Sequence, residues 1–121
     1  MPTKRLRFPK SQRLTKPAEF EQVRKNGRVE RGPLIILSAL ATQDRQSRAG
    51  FVTSRAVGPA VKRNRVRRRL REIVRKHQHE LIAGNWIVTI ARANAAMASY
   101  AQLEAEWLRL AERASILATP C

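Results

Sequence analysis

"PAVKRNRVRRRLREIVRKHQHEL", residues 59–81, decides how this chain folds. Val66, Leu70, Ile73, Val74, His77 and Leu81 recur at spacings of 4, 3, 1, 3 and 4. At about 100° per residue they share one stripe, so the segment is predicted to be a helix laid on a sheet. The rest of its surface is cationic: in "KRNRVRRRLRE", residues 62–72, seven of eleven positions are Lys or Arg. Charges that only decorate a helix are usually answered by acids at i+4. Here Arg63, Arg65, Arg67, Arg68 and Arg69 meet mostly Arg at those spacings, and only Arg68 finds Glu72 four residues on. Such a segment repels itself, which predicts an anionic partner.

The wider chain supports that reading. It has 121 residues, 43% of them apolar and 5% aromatic, and a formal net charge of +16. That length and composition suit one domain with a modest, largely aliphatic core, and the charge predicts a polyanion. Residues 1–76 hold 22 Lys/Arg against 5 Asp/Glu, and residues 77–121 hold 3 against 4, so the charge makes a basic face. Arginine dominates it, and a planar fork suits bidentate phosphate contacts and stacking on bases. Asn64 can read a base edge or a ribose 2′-OH. A membrane-surface helix would leave bulky apolar residues exposed opposite the charges, whereas this stripe is needed by the core. The longest strongly apolar run, "PLIIL", is far short of the roughly 18 residues of a membrane span. With a single cysteine, Cys121, the expectation is a soluble, cytoplasmic protein.

Outward from the basic helix, residues 1–14 read as a flexible basic arm, and "PAEFEQVRKNG" as a short helix with Phe20 and Val23 toward the core. "GPLIILSALAT" and "RAGFVTS" read as two strands of a hairpin across the polar turn "QDRQS". "WIVTIARA" reads as a further strand. Ser99 and Gln102 have capping-box spacing, opening a last helix with Tyr100, Leu103, Trp107, Leu110, Ala111 and Ala114 on one face. Residues 115–121 read as a loose tail. The expected fold is therefore a single α+β domain over 1–121, a two-layer sandwich of helices on a small sheet.

No catalytic constellation is visible. Of the nine acids, most fall on predicted helix surfaces, and Glu19/Glu21 and Glu104/Glu106 are two apart and point to different faces. His77 belongs to the apolar stripe and His79 to the surface, so no metal site is expected. Embedding of the basic helix in an α+β domain favours structured RNA over DNA.

"RLTKPAEFEQVRKNG", "GFVTSRAVGPAVKRNRVRRRLRE", "WIVTIAR" and "SYAQLEAEWLRL" together closely resemble the protein subunit of bacterial ribonuclease P, from Arg13 to about Ala111. The resemblance implies an about four-stranded sheet with a left-handed βαβ crossover. It implies that a large catalytic RNA carries the chemistry and its Mg²⁺, with no cofactor on the protein alone. One protein copy would bind that RNA and the 5′ leader of precursor tRNA, assisting the endonucleolytic cut that frees the mature 5′ end. Arg63, Asn64, Arg65, Arg68 and Arg69 match its RNA-gripping motif, with Lys62, Arg67 and Arg71 in the same block and Arg55 at a basic position. Arg13 and Phe20 match positions near the leader cleft. Arg24 and Leu37 stand where aromatics are common and are expected to bind the leader with them. Ala56 stands where Lys is common and Pro59 where Asn is common, so the cleft is expected to rely more on charge than on stacking. The rival reading is a non-enzymatic RNA-binding protein such as a ribosomal component or RNA chaperone, which copurifying ribosomal RNA would support.

Overall fold

In a computed structural model the described residues are 13–44 and 46–117. Helix α1 (Pro17–Asn26) leads into strand β1 (Arg28–Arg31), then β2 (Ile35–Ala41) and β3 (Arg48–Thr53). Helix α2 (Ala60–His77), strand β4 (Asn85–Ala91) and helix α3 (Tyr100–Arg113) complete the domain, with short 3-10 turns at Arg55–Val57, Gln78–Glu80 and Ala93–Met97.

The four strands form one sheet in the order β1-β2-β4-β3. β2 is antiparallel to both β1 and β4, while β3 runs parallel to β4. The expected β2–β3 hairpin is therefore wrong: β4 lies between them. "NWIVTIA" alternates little and is buried or half-buried throughout, so it needs a neighbour on each edge and sheet cover on each face. β1, "RVER", is not among the strands expected from the sequence. It has one apolar residue and charges on either side, the composition of an exposed edge.

Side-chain alternation divides the sheet into two faces. Ile35, Leu37, Ala39, Ile87 and Ala91 face α2 and α3, where they pack with Val66, Leu70, Ile73, Val74, Leu103, Trp107, Leu110 and Ala111. α2 buries Val66, Leu70, Ile73 and Val74 of its expected stripe but ends at His77, a 3-10 turn following it, so Leu81 lies beyond the helix and bridges Leu117. α3 buries Leu103, Trp107, Leu110 and Ala111, and Ser99 with Gln102 closes the capping box at its start. On the opposite face Val88, Leu40, Trp86 and Ile90 pack with Leu14, Phe20 and Val23, beneath α1. Two boundaries differ from expectation. Leu14 is buried, and its N–H donates to the Ala49 carbonyl at 3.0 Å, so it is fixed to β3; residues 1–12 of the expected arm lie outside the described residues. The start of the expected tail is also fixed. Ile116 is buried and accepts from Ile82 N–H at 2.7 Å, while Leu117 bridges Leu81, because two apolar residues there close the end of the core.

Candidate nucleic-acid interface

Burial of Val66, Leu70, Ile73 and Val74 against the sheet turns the cationic positions of α2 outward in two groups. Lys62, Asn64, Arg65 and Arg68 are exposed, as is Arg55 just before the helix. None of these five side chains makes a hydrogen bond or ion pair among the described residues. Glu72, four residues after Arg68, pairs instead with Arg75 at 3.5 Å. Arg69 is half-buried and donates to the Ala98 carbonyl at 3.0 Å, tying α2 to the turn before α3.

The second group faces β3. Arg67 donates to the Thr53 hydroxyl at 2.7 Å, and Arg63 buries an Nε that has no hydrogen-bond partner. Arg67 and Arg71, one helical turn apart, join Arg13 around a cavity of about 260 Å³ whose walls include Leu14, Phe20, Gly50 and Phe51. Partial burial pushes the Arg71 pKa down, and the positive charges of Arg13 and Arg67 push it further. A guanidinium nevertheless stays charged at neutral pH. Three such cations held together form a site that an anion would relieve.

Phe20 forms a wall between this cavity and a larger one. Its ring lies on Gly50, where an added Cβ would come within 2.5 Å of the ring, so the close approach requires glycine. Beyond it, Pro17, Phe20, Glu21 and Arg24 of α1 and Ser38, Val52, Val88 and Ile90 of the sheet enclose a cleft of about 390 Å³. Arg24 is exposed and bonded to Glu21 at 3.0 Å. Leu37 is not in the cleft. It is fully buried on the α2–α3 face, because neighbouring strand residues point to opposite sides; Ser38 occupies the cleft instead. Alternation of β2 would have revealed this once α1 was known to cover the face opposite the main core. Glu21, also in the cleft lining, is not among the site residues expected from the sequence.

Glu21 apart, several acids are held in contacts of their own. Glu19 accepts from the N–H groups of Thr15 and Lys16 at the start of α1. Asp44 pairs with Arg48 at 2.8 Å, and a backbone hydrogen bond from Gln46 and the Trp86 indole help hold its pKa down. Glu106 is buried. His77 bridges Glu80 and Glu104 and stacks on Trp107, ring centroids 6.4 Å apart. Among the described residues no three His, Cys, Asp or Glu side chains group as a metal site requires, and no helix is long and apolar enough to cross a membrane.

Comparison with known proteins finds similar chains and folds. The family model described as Ribonuclease P matches residues 8–115. The ribonuclease P protein component of Roseiflexus sp. (strain RS-1) is 41% identical over 106 residues, covering 87% of each chain. That of Dehalococcoides mccartyi (strain CBDB1) is 44% identical over 105 residues, 87% of this chain and 86% of its own. Among solved structures, the Staphylococcus aureus RNase P protein superposes with a TM-score of 0.83 at 25% identity, over 89% of this chain and 99% of that one. The Thermotoga maritima protein gives 0.76 at 26% identity, over 84% and 96%.

Proposed function

This chain belongs to the ribonuclease P protein component family, and on that premise we propose that it grips the ribonuclease P RNA with the outer face of α2 and holds the 5′ leader of precursor tRNA in the cleft under α1. Relatives of this family are the protein subunit of ribonuclease P, which processes tRNA 5′ leaders. The ribonuclease P RNA is the partner that membership implies.

Arg65 and Arg68 carry the reading, because they stand exposed and unpaired among the described residues on an 18-residue helix whose other side is locked in the core. With Arg55 and Lys62 they neutralise phosphates of the large RNA, releasing counterions, while Asn64 hydrogen-bonds a base edge or a ribose 2′-OH. Arg69 contributes charge while its hydrogen bond to Ala98 fixes the helix. Arg67 and Arg71 turn away from this face; with Arg13 they hold a leader phosphate beside Phe20, whose ring offers a base a surface to stack on. Arg63 lies between the two tracks.

Hydrolysis we place on the RNA. Metal chemistry, an activated water and neutralisation of developing charge, would be supplied by Mg²⁺ held on that RNA. The protein's part is to bring leader and RNA together and to lower the repulsion between two polyanions. Engagement of Glu19, Asp44, Glu80, Glu104 and Glu106 in structural bonds supports this division. Work in the cytoplasm follows from the substrate.

Reconstitution with the ribonuclease P RNA of the same genome, assayed on precursor tRNA, tests the proposal. The holoenzyme cleaves at the mature 5′ end, the RNA alone does so at high Mg²⁺, and the protein alone does not. Each Asp→Ala or Glu→Ala variant that folds retains cleavage. A variant that folds and binds both RNAs yet is dead would put the active site on the protein.

A further inference from the structure

The cleft under α1 is apolar at its floor and carries a single carboxylate at its rim. Ser38 and Val88 are cross-strand partners, as are Val52 and Ile90, so the floor is a row of small aliphatic surfaces crossing three strands. Its volume, about 390 Å³, lies within the range of small-ligand sites. The Ser38 hydroxyl makes no hydrogen bond among the described residues. On the rim, Arg24 Nη2 donates to Glu21 Oε1 at 3.0 Å and Lys25 Nζ lies 3.9 Å from the same oxygen. Glu21 Oε2 is engaged by neither. A carboxylate accepts at about four lone-pair sites, so this one keeps capacity for two more donors.

Resting on the leader-binding reading, we propose that the cleft accepts one unstacked base of the leader and that Glu21 selects guanine there. Guanine presents two adjacent donors, N1–H and the N2 amine, which a carboxylate accepts side by side. Adenine and cytosine put an acceptor next to their donor, and uracil flanks N3–H with two carbonyls, so each sets a lone pair against the carboxylate. A carboxylate near a phosphate backbone is otherwise unfavourable. Arg24 and Lys25 offset its charge and hold its direction, which makes Arg24 a positioning residue rather than a phosphate contact. Ser38, with no bulk above Cβ beyond its hydroxyl, leaves room for the base.

The test uses holoenzyme reconstituted with the cognate RNA and a series of precursor tRNAs whose leaders are adenines with one guanine moved along them. At one register the guanine leader binds about tenfold more tightly than the all-adenine leader, the scale of a bidentate base contact. Inosine at that register, which lacks the N2 amine, loses most of the gain. Glu21→Gln erases the preference, with its melting temperature confirming the fold. Tighter binding at no register, while a leader still strengthens binding over mature tRNA, overturns guanine selection and leaves leader binding standing. A leader that adds nothing to affinity in the wild-type holoenzyme overturns both. A preference that survives Glu21→Gln assigns it to another residue and overturns the role given to Glu21.

Discussion

Glu106 Oε2 accepts the backbone N–H of Ile35 at 2.7 Å and, at the same distance, that of Leu34. One α3 carboxylate thus anchors the start of β2, 71 residues earlier in the chain. Gly32 lies against it: a Cβ there would come within 2.7 Å of the carboxylate. Arg109, on the solvent side, donates to the other oxygen at 3.3 Å.

Glu106→Ala leaves two N–H groups at a buried site without their acceptor. The expected loss is about 3 kcal/mol in urea unfolding, the scale of charge-assisted bonds and orphaned donors. Glu106→Gln keeps an acceptor and loses less. A loss below roughly 1 kcal/mol for the alanine variant would show that water or a shifted backbone replaces the carboxylate.

His77 gives stability a pH dependence. Burial against Trp107 pulls its pKa down, but the hydrogen bonds and charges of Glu80 and Glu104 prevail and hold it above the ordinary value. Lys76, which also binds Glu104 at 3.0 Å, competes for that carboxylate. The folded pKa lies above the unfolded one of about 6.5. This contribution is therefore fully present below that value and is lost as pH rises through the folded pKa. Melting temperatures of wild type and His77→Gln, compared from mildly acidic to alkaline pH, converge on raising the pH. A constant gap would refute the titration.

Arg65→Ala and Arg68→Ala weaken binding of the ribonuclease P RNA. Each lost phosphate contact lowers the slope of log affinity against log salt by roughly 0.7 to 0.9. Titrations of the double variant at several salt concentrations check this, and an unchanged affinity and slope would remove the outer face of α2 from the interface.

Phe20→Leu keeps an apolar side chain over Gly50 but removes the ring shared by the two cavities. Binding of precursor tRNA to the holoenzyme weakens by about 1–3 kcal/mol, the scale of stacking on one base, and binding of mature tRNA does not. Equal effects on both ligands would make Phe20 a core residue only.

The α2 stripe, the α3 face with its Ser99 cap, and the cationic surface left over were legible in the sequence, because helical periodicity and charge are local properties. So was the family, carried by Arg63-Asn64-Arg65 and its flanking segments. Strand order was not: residues 42–47 join β2 to β3, but only assembly of the core places β4 between them. Leu37 and Ser38 show the same limit at one site. Alternation says that they face opposite ways, yet which of them meets the cleft depends on which sheet face α1 covers. The partition of the arginines follows from packing too: Arg65 and Arg68 emerge on one side of α2 and Arg67 and Arg71 on another because the buried stripe fixes the helix's rotation. Glu106 reads as a surface acid until the start of β2 presents it with two N–H groups. Sequence determined which segments become helices and what kind of partner they meet; long-range packing decided which neighbours they have, and hence where each charge points.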